Sequence, residues 1–338
     1  MKNLLLLIVL FPAVLLAQKT SLKTSTIGNG ASFRGLSVVD NKVVWVAGNH
    51  GTVCISTDGG INFNCQTVAG YDSAEFRSVY AFDATTAIVC NTGSPAKILR
   101  TEDGGLHWNE VYSNDYRAAF IDGIDFWNAN DGIVLGDPLD GMMMILVTHD
   151  GGKTWSEIPE EARPQLVAGE ASFAASGTTI RCKGESKLWI ATGGVASRLF
   201  NSNDKGLVWE WVPTPIIQGS STQGVFSFNF YDDKHGVIVG GDYQIDTLTE
   251  NHIFLTTDGG NNWQRPSKPT RGYRECVEYV SDKMLVAVGP TGIDISINSG
   301  LAWEPFSDEK KFHVVRKARN GKLVVIAGGA GKIGVLSY

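Results

Sequence analysis

Short apolar runs, each closed by glycine, recur along the chain. They are rich in β-branched and aromatic residues, and a second short run, such as Gly51–Ile55 or Ile253–Leu255, follows. Short runs of this composition bounded by turn residues indicate β-strands. After residue 17 the sequence shows no apolar stripe of helical period. We therefore predict an all-β protein with about four strands per repeat. The glycine-closed runs are 43–48, 132–136, 187–194, 236–241 and 284–289.

A turn motif, [ST]-x-D-x-G-x-x-W, follows the second run. The stretch TEDGGLHW at residues 101–108 is one copy, and three others match in full. Two further copies differ at one place each, with Phe63 instead of tryptophan and Asn298 instead of aspartate. The acidic positions of successive copies lie 40 to 54 residues apart. A period of roughly 40–50 residues is typical of solenoids and propellers.

Every copy of this motif can be explained without catalytic chemistry. The Ser/Thr and Asp side chains hydrogen-bond the turn backbone, and glycine supplies a position with positive φ. The aromatic residue then packs into the blade as a large apolar plug. We predict structural roles for Asp58, Asp103, Asp150, Asp204, Asp258, Trp108, Trp155, Trp209, Trp263 and Trp303.

The repeats predict a closed ring of seven blades. Phe33-Arg34-Gly35-Leu36 begins the first repeat, and similar stretches begin at Phe76 and Tyr273. The last repeat, residues 312–338, supplies only three strands. We expect Ser21–Ile27 to provide the fourth, which would remove the free edges of the ring. The predicted fold is a seven-bladed β-propeller of four-stranded antiparallel blades, closed by the N-terminal strand, with residues 18–338 in one domain.

The turn motif resembles the Asp-box, or bacterial neuraminidase repeat, whose role is structural. With Phe-Arg-Gly at the first strand and an Asp-box before the fourth, the chain also resembles the photosystem II stability/assembly factor family of propellers. This resemblance implies a protein that carries an arginine patch and binds protein partners during assembly. Asp-boxes also occur in sialidases and other glycoside hydrolases, so the motif alone does not decide function.

The N-terminus and the charge restrict the setting in which the protein works. Lys2 precedes an apolar run, Leu4–Leu16, that is shorter than the ~20 residues of a membrane span. We predict a signal peptide over residues 1–17 and an exported protein, periplasmic or secreted, without a membrane span. The formal charge of −6 and the lack of a long basic run argue against a nucleic-acid partner. We expect a monomer.

Two of the five cysteines predict a disulfide. Cys54 and Cys65 lie on either side of Asp58, opposite each other on paired strands, and no other repeat has cysteine at both places. Exported proteins favour disulfide formation. The sequence contains neither a C-x-x-C pair, nor a His cluster, nor a haem motif, and no G-x-G-x-x-G follows a strand and opens a helix. We therefore expect no metal and no cofactor.

One set of candidate binding residues lies at the start of the first strands. The residue after the first-strand aromatic is Arg34, Arg77 and Arg274 in repeats one, two and six, and His313 in repeat seven. These four repeats are neighbours in a closed ring, which predicts a basic arc around the channel. Such arginines can clamp carboxylates or a polypeptide tail by bidentate hydrogen bonds. Alternatively, each arginine only braces neighbouring blades against loop carbonyls.

A second set of candidates belongs to the enlarged repeats three to five. Insertions in propellers tend to build the binding face. Acidic residues near the strand exits, and one arginine, could face the basic arc across the channel, or they could simply cap turns. These candidates are Asp122, Asp137, Glu170, Arg198 and Asp242.

The sequence favours a non-catalytic propeller that binds a protein or peptide partner and serves the assembly or stability of an envelope complex. The alternative is a carbohydrate-active propeller, either sialidase-like or another glycoside hydrolase, in which two carboxylates act as a pair. The Arg-Ile-Pro stretch of sialidases is absent, and nothing in the spacing selects a carboxylate pair. We therefore predict no catalytic residue.

Overall fold

Seven antiparallel sheets surround a central channel. The computed structural model describes residues 20–338, so the predicted signal peptide lies outside the described residues. This part of the chain forms 29 strands and one short 3-10 helix, Glu160–Ala162. Between residues 20 and 338, no helix is long and apolar enough to cross a membrane. The predicted all-β, seven-bladed propeller is confirmed.

The first three blades each have four strands, which follow one another in the sheet. Blade one contains β2 (Phe33–Val38), β3 (Val44–Gly48), β4 (Thr52–Ser56) and β5 (Asn64–Thr67). Blade two contains β6 (Glu75–Ala81), β7 (Ala87–Thr92), β8 (Ala96–Thr101) and β9 (Asn109–Asn114). Blade three contains β10 (Ile121–Phe126), β11 (Gly132–Leu139), β12 (Met142–Thr148) and β13 (Ser156–Glu157).

Blades four and five are interleaved by two short strands, β14 (Glu170–Ala171) and β17 (Gly193–Gly194). Blade four contains β15 (Ile180–Lys183), β16 (Lys187–Ala191), β18 (Arg198–Ser202) and β19 (Glu210–Pro213). Blade five contains β20 (Gln223–Phe230), β21 (Gly236–Asp242) and β22 (Ile253–Thr256), and Gln264 bridges to Leu255 at the place of its fourth strand. β14 and β17 pair with each other and extend the inner edge of blade five.

The last two blades complete the ring. Blade six contains β23 (Cys276–Tyr279), β24 (Leu285–Gly289), β25 (Gly292–Ser296) and β26 (Glu304–Ser307). Blade seven contains β27 (Phe312–Lys317), β28 (Val324–Gly328), β29 (Lys332–Ser337) and, as its outer strand, β1 (Ser21–Thr26). β1 runs antiparallel to β29, with Ser21 opposite Ser337 and Thr26 opposite Lys332. The predicted closure by the N-terminal strand is confirmed.

The apolar core lies between the blades. Each large cluster of buried side chains draws on neighbouring sheets, as where Trp45 of blade one packs with Phe76 and Leu99 of blade two. The tryptophan of an Asp-box packs against the preceding blade rather than only into its own. The rings of Trp45 and Trp108, for example, meet edge to face with centroids 6.4 Å apart. The Asp-box aromatics therefore join blades, because burying a large ring between two sheets stabilises both.

The Asp-box turns have the hydrogen bonds that the sequence predicts. Thr101 Oγ1 donates to Asp103 Oδ1 at 2.9 Å, and the backbone N–H of His107 donates to the same oxygen at 2.9 Å. The N–H of Gly105, which has a φ of 88°, donates to Thr101 Oγ1 at 3.0 Å. The same pattern recurs in the other copies, including the one with Asn298. All these turns join a third strand to a fourth, at the face opposite the starts of the first strands.

The two cysteines of blade one occupy directly opposite positions. Cys54 on β4 is the register partner of Cys65 on β5, and a disulfide bond joins them in the structure. Cys90 and Cys276 are buried thiols, and Cys182 is half-buried. The predicted cross-strand placement of Cys54 and Cys65 is confirmed.

Candidate functional site

Seven equivalent positions surround one mouth of the channel. In five blades the first strand has a register shift that places one extra residue at this mouth. In blades four and six the corresponding residue lies before the first strand, two residues ahead of Ile180 in blade four and immediately ahead of Cys276 in blade six. We call these residues the channel-mouth ring. Its members, in order from blade one to blade seven, are Arg34, Arg77, Asp122, Thr178, Phe226, Glu275 and His313.

Blade six contradicts part of the predicted basic arc. Cys276 has the register position that Gly35 has in blade one, so Glu275, and not Arg274, corresponds to Arg34. By residue type, Tyr273-Arg274 aligns with Phe33-Arg34. This alignment differs by one residue from the strand pairing in the structure. A one-residue displacement along a strand reverses the direction of every side chain.

Arg274 is fully buried and does not line the channel mouth. Its guanidinium forms an ion pair with Asp294 and donates to Thr291 Oγ1 and to the Tyr273 carbonyl, both at 2.7 Å. Asp294 is also bound by Arg271, whose Nε lies 2.8 Å from it. The prediction that Arg274 belongs to the basic arc is wrong, because its guanidinium is buried inside blade six and is neutralised there by Asp294.

The remaining basic residues near Glu275 are paired with its carboxylate. Arg34 Nη1 lies 2.6 Å from Glu275 Oε2, and His313 Nδ1 lies 2.9 Å from the same oxygen. Burial acts to raise the pKa of Glu275, but the hydrogen bonds from His313 and Arg34 outweigh it and lower the pKa. Arg77 is held in the same way by Glu75, with Nε and Nη2 at 2.9 and 3.0 Å from its two oxygens.

A segment of blade four, residues 172–179, crosses the channel mouth. Arg34 Nη1 donates to the Ala175 carbonyl at 2.7 Å, and Arg77 Nη1 donates to the Ala174 carbonyl at 3.5 Å. Because β15 begins only at Ile180, Thr178 has the ring position of blade four. The contacts of Arg34 and Arg77 are those of the bracing interpretation, in which arginines hold loop carbonyls.

The structure joins Glu170 and Arg198 to each other. Arg198 Nε and Nη2 lie 2.8 and 2.5 Å from the two carboxylate oxygens of the buried Glu170, and Thr192 Oγ1 donates to the same side chain at 2.6 Å. The Arg198 guanidinium also lies over the Trp211 ring, 4.8 Å from its centroid. Glu170 on β14 and Arg198 on β18 neutralise each other, so neither charge is available to the basic arc.

Asp242 caps a turn at the end of β21. Its carboxylate accepts hydrogen bonds from the backbone N–H of Gln244 at 3.0 Å and from Gln223 Nε2 at 3.1 Å. The alternative that this carboxylate serves a turn is therefore the one that the geometry favours.

A cavity of about 520 Å³ opens at the channel mouth. Its lining includes the charged residues Arg34, Arg77 and Glu275 of the ring, together with Asp122 and Asp137. It also includes an aromatic wall, in which the rings of Phe173 and Phe226 stack with centroids 3.9 Å apart and Tyr273 meets Phe226 edge to face. The aromatic wall consists of Phe120, Phe173, Phe226, Tyr243 and Tyr273.

Asp122 and Asp137 are acidic groups of this cavity that form no ion pair within residues 20–338. Asp122 is fully buried, and neither of its carboxylate oxygens has a hydrogen-bond partner among residues 20–338. Burial, and secondarily the charge of Asp137, raise the pKa of Asp122 well above its usual range. Burial also raises the pKa of the partly exposed Asp137 to about 6. Unpaired carboxyls of this kind cost stability and often mark functional positions.

A second charged layer lies deeper in the channel. Arg181 Nη2 lies 2.8 Å from Glu278 Oε2, and Arg316 Nη1 lies 3.9 Å from the same oxygen. The half-buried Asp125 accepts a hydrogen bond from the Cys182 N–H at 2.8 Å. At the opposite face, a larger and more open depression of about 870 Å³ is lined by the turns of blades five to seven and by Tyr338.

The described residues provide no metal centre. Between Thr20 and Tyr338, no group of three or more His, Cys, Asp or Glu side chains is arranged to hold a metal ion. The polar groups of the channel-mouth cavity can bind by hydrogen bonds and charge, and its aromatic wall can bind by stacking.

Sequence reasoning missed Glu275 and the aromatic wall. The register of Glu275 could have been found by counting back from Gly289, the glycine that closes the second strand of blade six, as Gly48 closes that of blade one. The aromatic wall gave no local signal, because Phe173 and Tyr243 lie on loops whose meeting depends on the whole ring.

Part of the chain is similar in sequence to known proteins. Residues 146–157 match the model of the BNR/Asp-box repeat. The chain is 23% identical over 249 residues to the photosystem II assembly lipoprotein Ycf48 of Synechococcus sp. (strain CC9902). This alignment covers 71% of the chain and 66% of the relative, just under two thirds of its length.

Two solved structures have the same fold as this chain. One is described as YCF48 bound to D1 peptide, with a TM-score of 0.70 and 16% identity, and the match covers 94% of this chain and 97% of that one. The other is YCF48 from Cyanidioschyzon merolae, with a TM-score of 0.65, 14% identity and coverage of 93% and 98%. The resemblance to photosystem II assembly factor-like propellers is confirmed. At these identities the structural likeness establishes the fold alone.

Proposed function

We propose that this chain is a non-catalytic propeller that binds a peptide segment of a protein partner at the channel-mouth cavity. The observation that carries the proposal is the cavity itself, about 520 Å³ in volume and lined by both charged groups and an aromatic wall. A concave site with a few convergent polar groups is the usual form of a ligand site. One similar structure is described as bound to a peptide, which supports the same class of ligand.

The proposed setting is outside the cytoplasm. Removal of residues 1–17 would leave residues 18–338 as a single propeller domain, periplasmic or secreted, acting as a monomer in the assembly or stability of an envelope complex. The Cys54–Cys65 disulfide supports this setting, because structural disulfides persist in oxidising compartments. The relative is named a lipoprotein and an assembly protein, which agrees with a role at a membrane surface.

Carbohydrate hydrolysis is the alternative that we set aside. Glycosidases place two carboxyl groups on either side of the scissile bond, and both must reach the substrate or its attacking water. Asp137 is partly exposed in the cavity, but Asp122 has no exposed surface. A single accessible carboxyl is the reason why we propose binding rather than hydrolysis.

Selection from a phage-displayed library of random linear peptides tests the proposal. We expect wild-type protein to enrich a peptide family that the variant Ser221→Trp does not bind, because Ser221 is an exposed residue of the cavity rim. The matched control is Ser113→Trp, an exposed position on the outer strand β9, which should bind as wild type does. Equal binding by both variants would contradict a site at the channel mouth.

A further inference from the structure

The charges of the channel-mouth cavity do not balance. Arg34 pairs with Glu275, and Arg77 pairs with Glu75, so neither arginine is free to neutralise a third carboxylate. Asp122 and Asp137 are left over. They line the same cavity as both arginines, and the charge of Arg77 acts on Asp122 without forming an ion pair with it.

Asp122 is an unpartnered, buried carboxyl in the lining of the cavity. It is fully buried, lines the cavity, and has no hydrogen-bond partner for either carboxylate oxygen within residues 20–338. Buried polar groups in folded proteins are almost always hydrogen-bonded, so an orphan of this kind requires an explanation. Its neighbour Asp137 is the more exposed member of the pair and forms the accessible surface.

The aromatic wall adds a second attraction for the same kind of group. Cations bind over the faces of aromatic rings, with more gain where water is excluded. Phe226 occupies the ring position of blade five, and its neighbours Tyr243 and Tyr273 meet it edge to face, with centroids 6.0 and 4.7 Å away. A carboxyl pair combined with an aromatic wall suits an ammonium group on an alkyl stem.

We propose that the channel-mouth cavity binds the side-chain ammonium of a lysine residue in the partner peptide, with Asp137 as the direct contact and Asp122 as the buried carboxyl behind it, which ionises when the cation is bound. This rests on the proposed function, since it names the chemistry of the bound segment. It reverses the expectation that the arginines of the ring select an acidic peptide. Arg34 and Arg77 hold the cavity open by bracing the segment 172–179, and the two aspartates recognise the ligand.

The proposal makes binding dependent on pH. The charged groups lining the cavity are the Arg34–Glu275 pair, Arg77 held by Glu75, and the two aspartates. The pKa of Asp137, raised by burial to about 6, means that the carboxylate forms only near neutral pH. Affinity for a cation should therefore rise between about pH 5 and pH 7.5 and should vanish below pH 5.

Thermal unfolding with small probes tests the cation site directly. At pH 7.5, 50 mM n-butylammonium chloride should raise the Tm of the wild-type protein by about 1–3 °C relative to sodium chloride at equal concentration. The neutral isostere n-butanol should give no rise. Asp122→Asn and Asp137→Asn should each abolish the response, while Asp282→Asn, an exposed change at the opposite face, should retain it. No response in the wild type, or an unchanged response in both cavity variants, would overturn the proposal.

The melting temperatures of the variants distinguish a role of Asp122 in cation binding from a structural role. Because Asp122 is an unpartnered buried carboxyl, Asp122→Asn should fold and should melt no lower than the wild type, while losing the response to the amine. A variant that unfolds and melts well below the wild type would show that Asp122 has a structural partner, which contradicts the proposal. Asp137→Asn, at a more exposed position, provides the same readout independently.

A second arm distinguishes a peptide side chain from a free amine. Nα-acetyl-lysine N-methylamide presents a lysine between two amide groups, and we expect it to shift the Tm as n-butylammonium does. Its Nε-acetylated form should have no effect. A response to n-butylammonium without one to the lysine derivative would assign the cavity to a free amine and overturn the peptide assignment. An amine response without any peptide selected from the library would contradict the proposed function and leave the cation site standing.

Discussion

Asp122 and Asp137 carry a cost in the unliganded protein that their surroundings do not offset. Both carboxyls lose hydration on folding, and Arg77, whose charge acts on Asp122, is already held by Glu75. In the folded protein their pKa values are raised, whereas in the unfolded chain each ionises near pH 4. Between about pH 4 and pH 6 the folded protein therefore retains protons that the unfolded chain releases, and its stability falls as the pH rises.

We predict that Asp137→Asn is more stable than the wild type at pH 7. A pKa raised to about 6 corresponds to a gain of up to about 3 kcal/mol in the free energy of unfolding. The advantage should shrink as the pH falls and should disappear near pH 4. Urea unfolding at pH 4, 5.5 and 7 measures it, with Asp282→Asn as the control for a lost surface charge. An advantage that does not depend on pH would contradict the assignment.

A substitution at Arg34 distinguishes a bracing role of this side chain from direct ligand binding. Its removal takes a donor from the Ala175 carbonyl and a cation from the buried Glu275. We expect Arg34→Ala to lower the free energy of unfolding by about 2 kcal/mol in chemical denaturation, because a buried carboxylate loses its partner. Arg117→Ala, at an exposed position, should have little effect. Unchanged stability with loss of peptide binding would instead favour direct contact between Arg34 and the ligand.

The Asp-box turn is an element whose sequence is sufficient to define it. All its hydrogen bonds lie within a few residues, so Asp150 could be assigned its role from the motif alone. The ring position could not be assigned in this way, because it depends on pairing between strands. Arg274 looked equivalent to Arg34 in residue type, yet pairing on β24 displaces it by one residue and buries it.

The sixth Asp-box shows which feature of the turn matters. Asn298 accepts hydrogen bonds from Ser296 Oγ at 2.8 Å and from the Ala302 N–H at 2.9 Å, as the aspartates do. We therefore predict that Asp150→Asn is nearly neutral, whereas Asp150→Ala lowers the free energy of unfolding by about 1 kcal/mol, as loss of a capping side chain does. Chemical denaturation of the two variants measures the difference. Equal losses would mean that the charge, and not the acceptor oxygen, stabilises the turn.

Closure of the ring depends on β1, an N-terminal strand that completes a blade made otherwise of the last three strands of the chain. The count of seven blades and the closing strand were both predictable, because each follows from repeats and from a missing fourth strand. The meeting of segment 172–179 with blades one, two, six and seven was not, because it joins residues far apart in the chain.

We predict that a chain beginning at Gly28, which lacks β1, melts at least about 5 °C lower than one beginning at Ser21. Loss of β1 removes its ladder with β29 and exposes the edge of that strand, which can then pair with another molecule. Calorimetry and light scattering across a range of protein concentrations measure both effects. Equal melting temperatures and equal masses would contradict a stabilising role for closure.

The pairing of Ser21 with Ser337 also fixes the orientation in which the propeller presents itself. Both residues lie at the face with the larger depression, and the channel-mouth cavity opens at the other face. A tether attached ahead of Ser21 or behind Tyr338 would therefore leave from the same side of the disk. A propeller held by either tether would point its cavity away from the surface that holds it, towards whatever approaches.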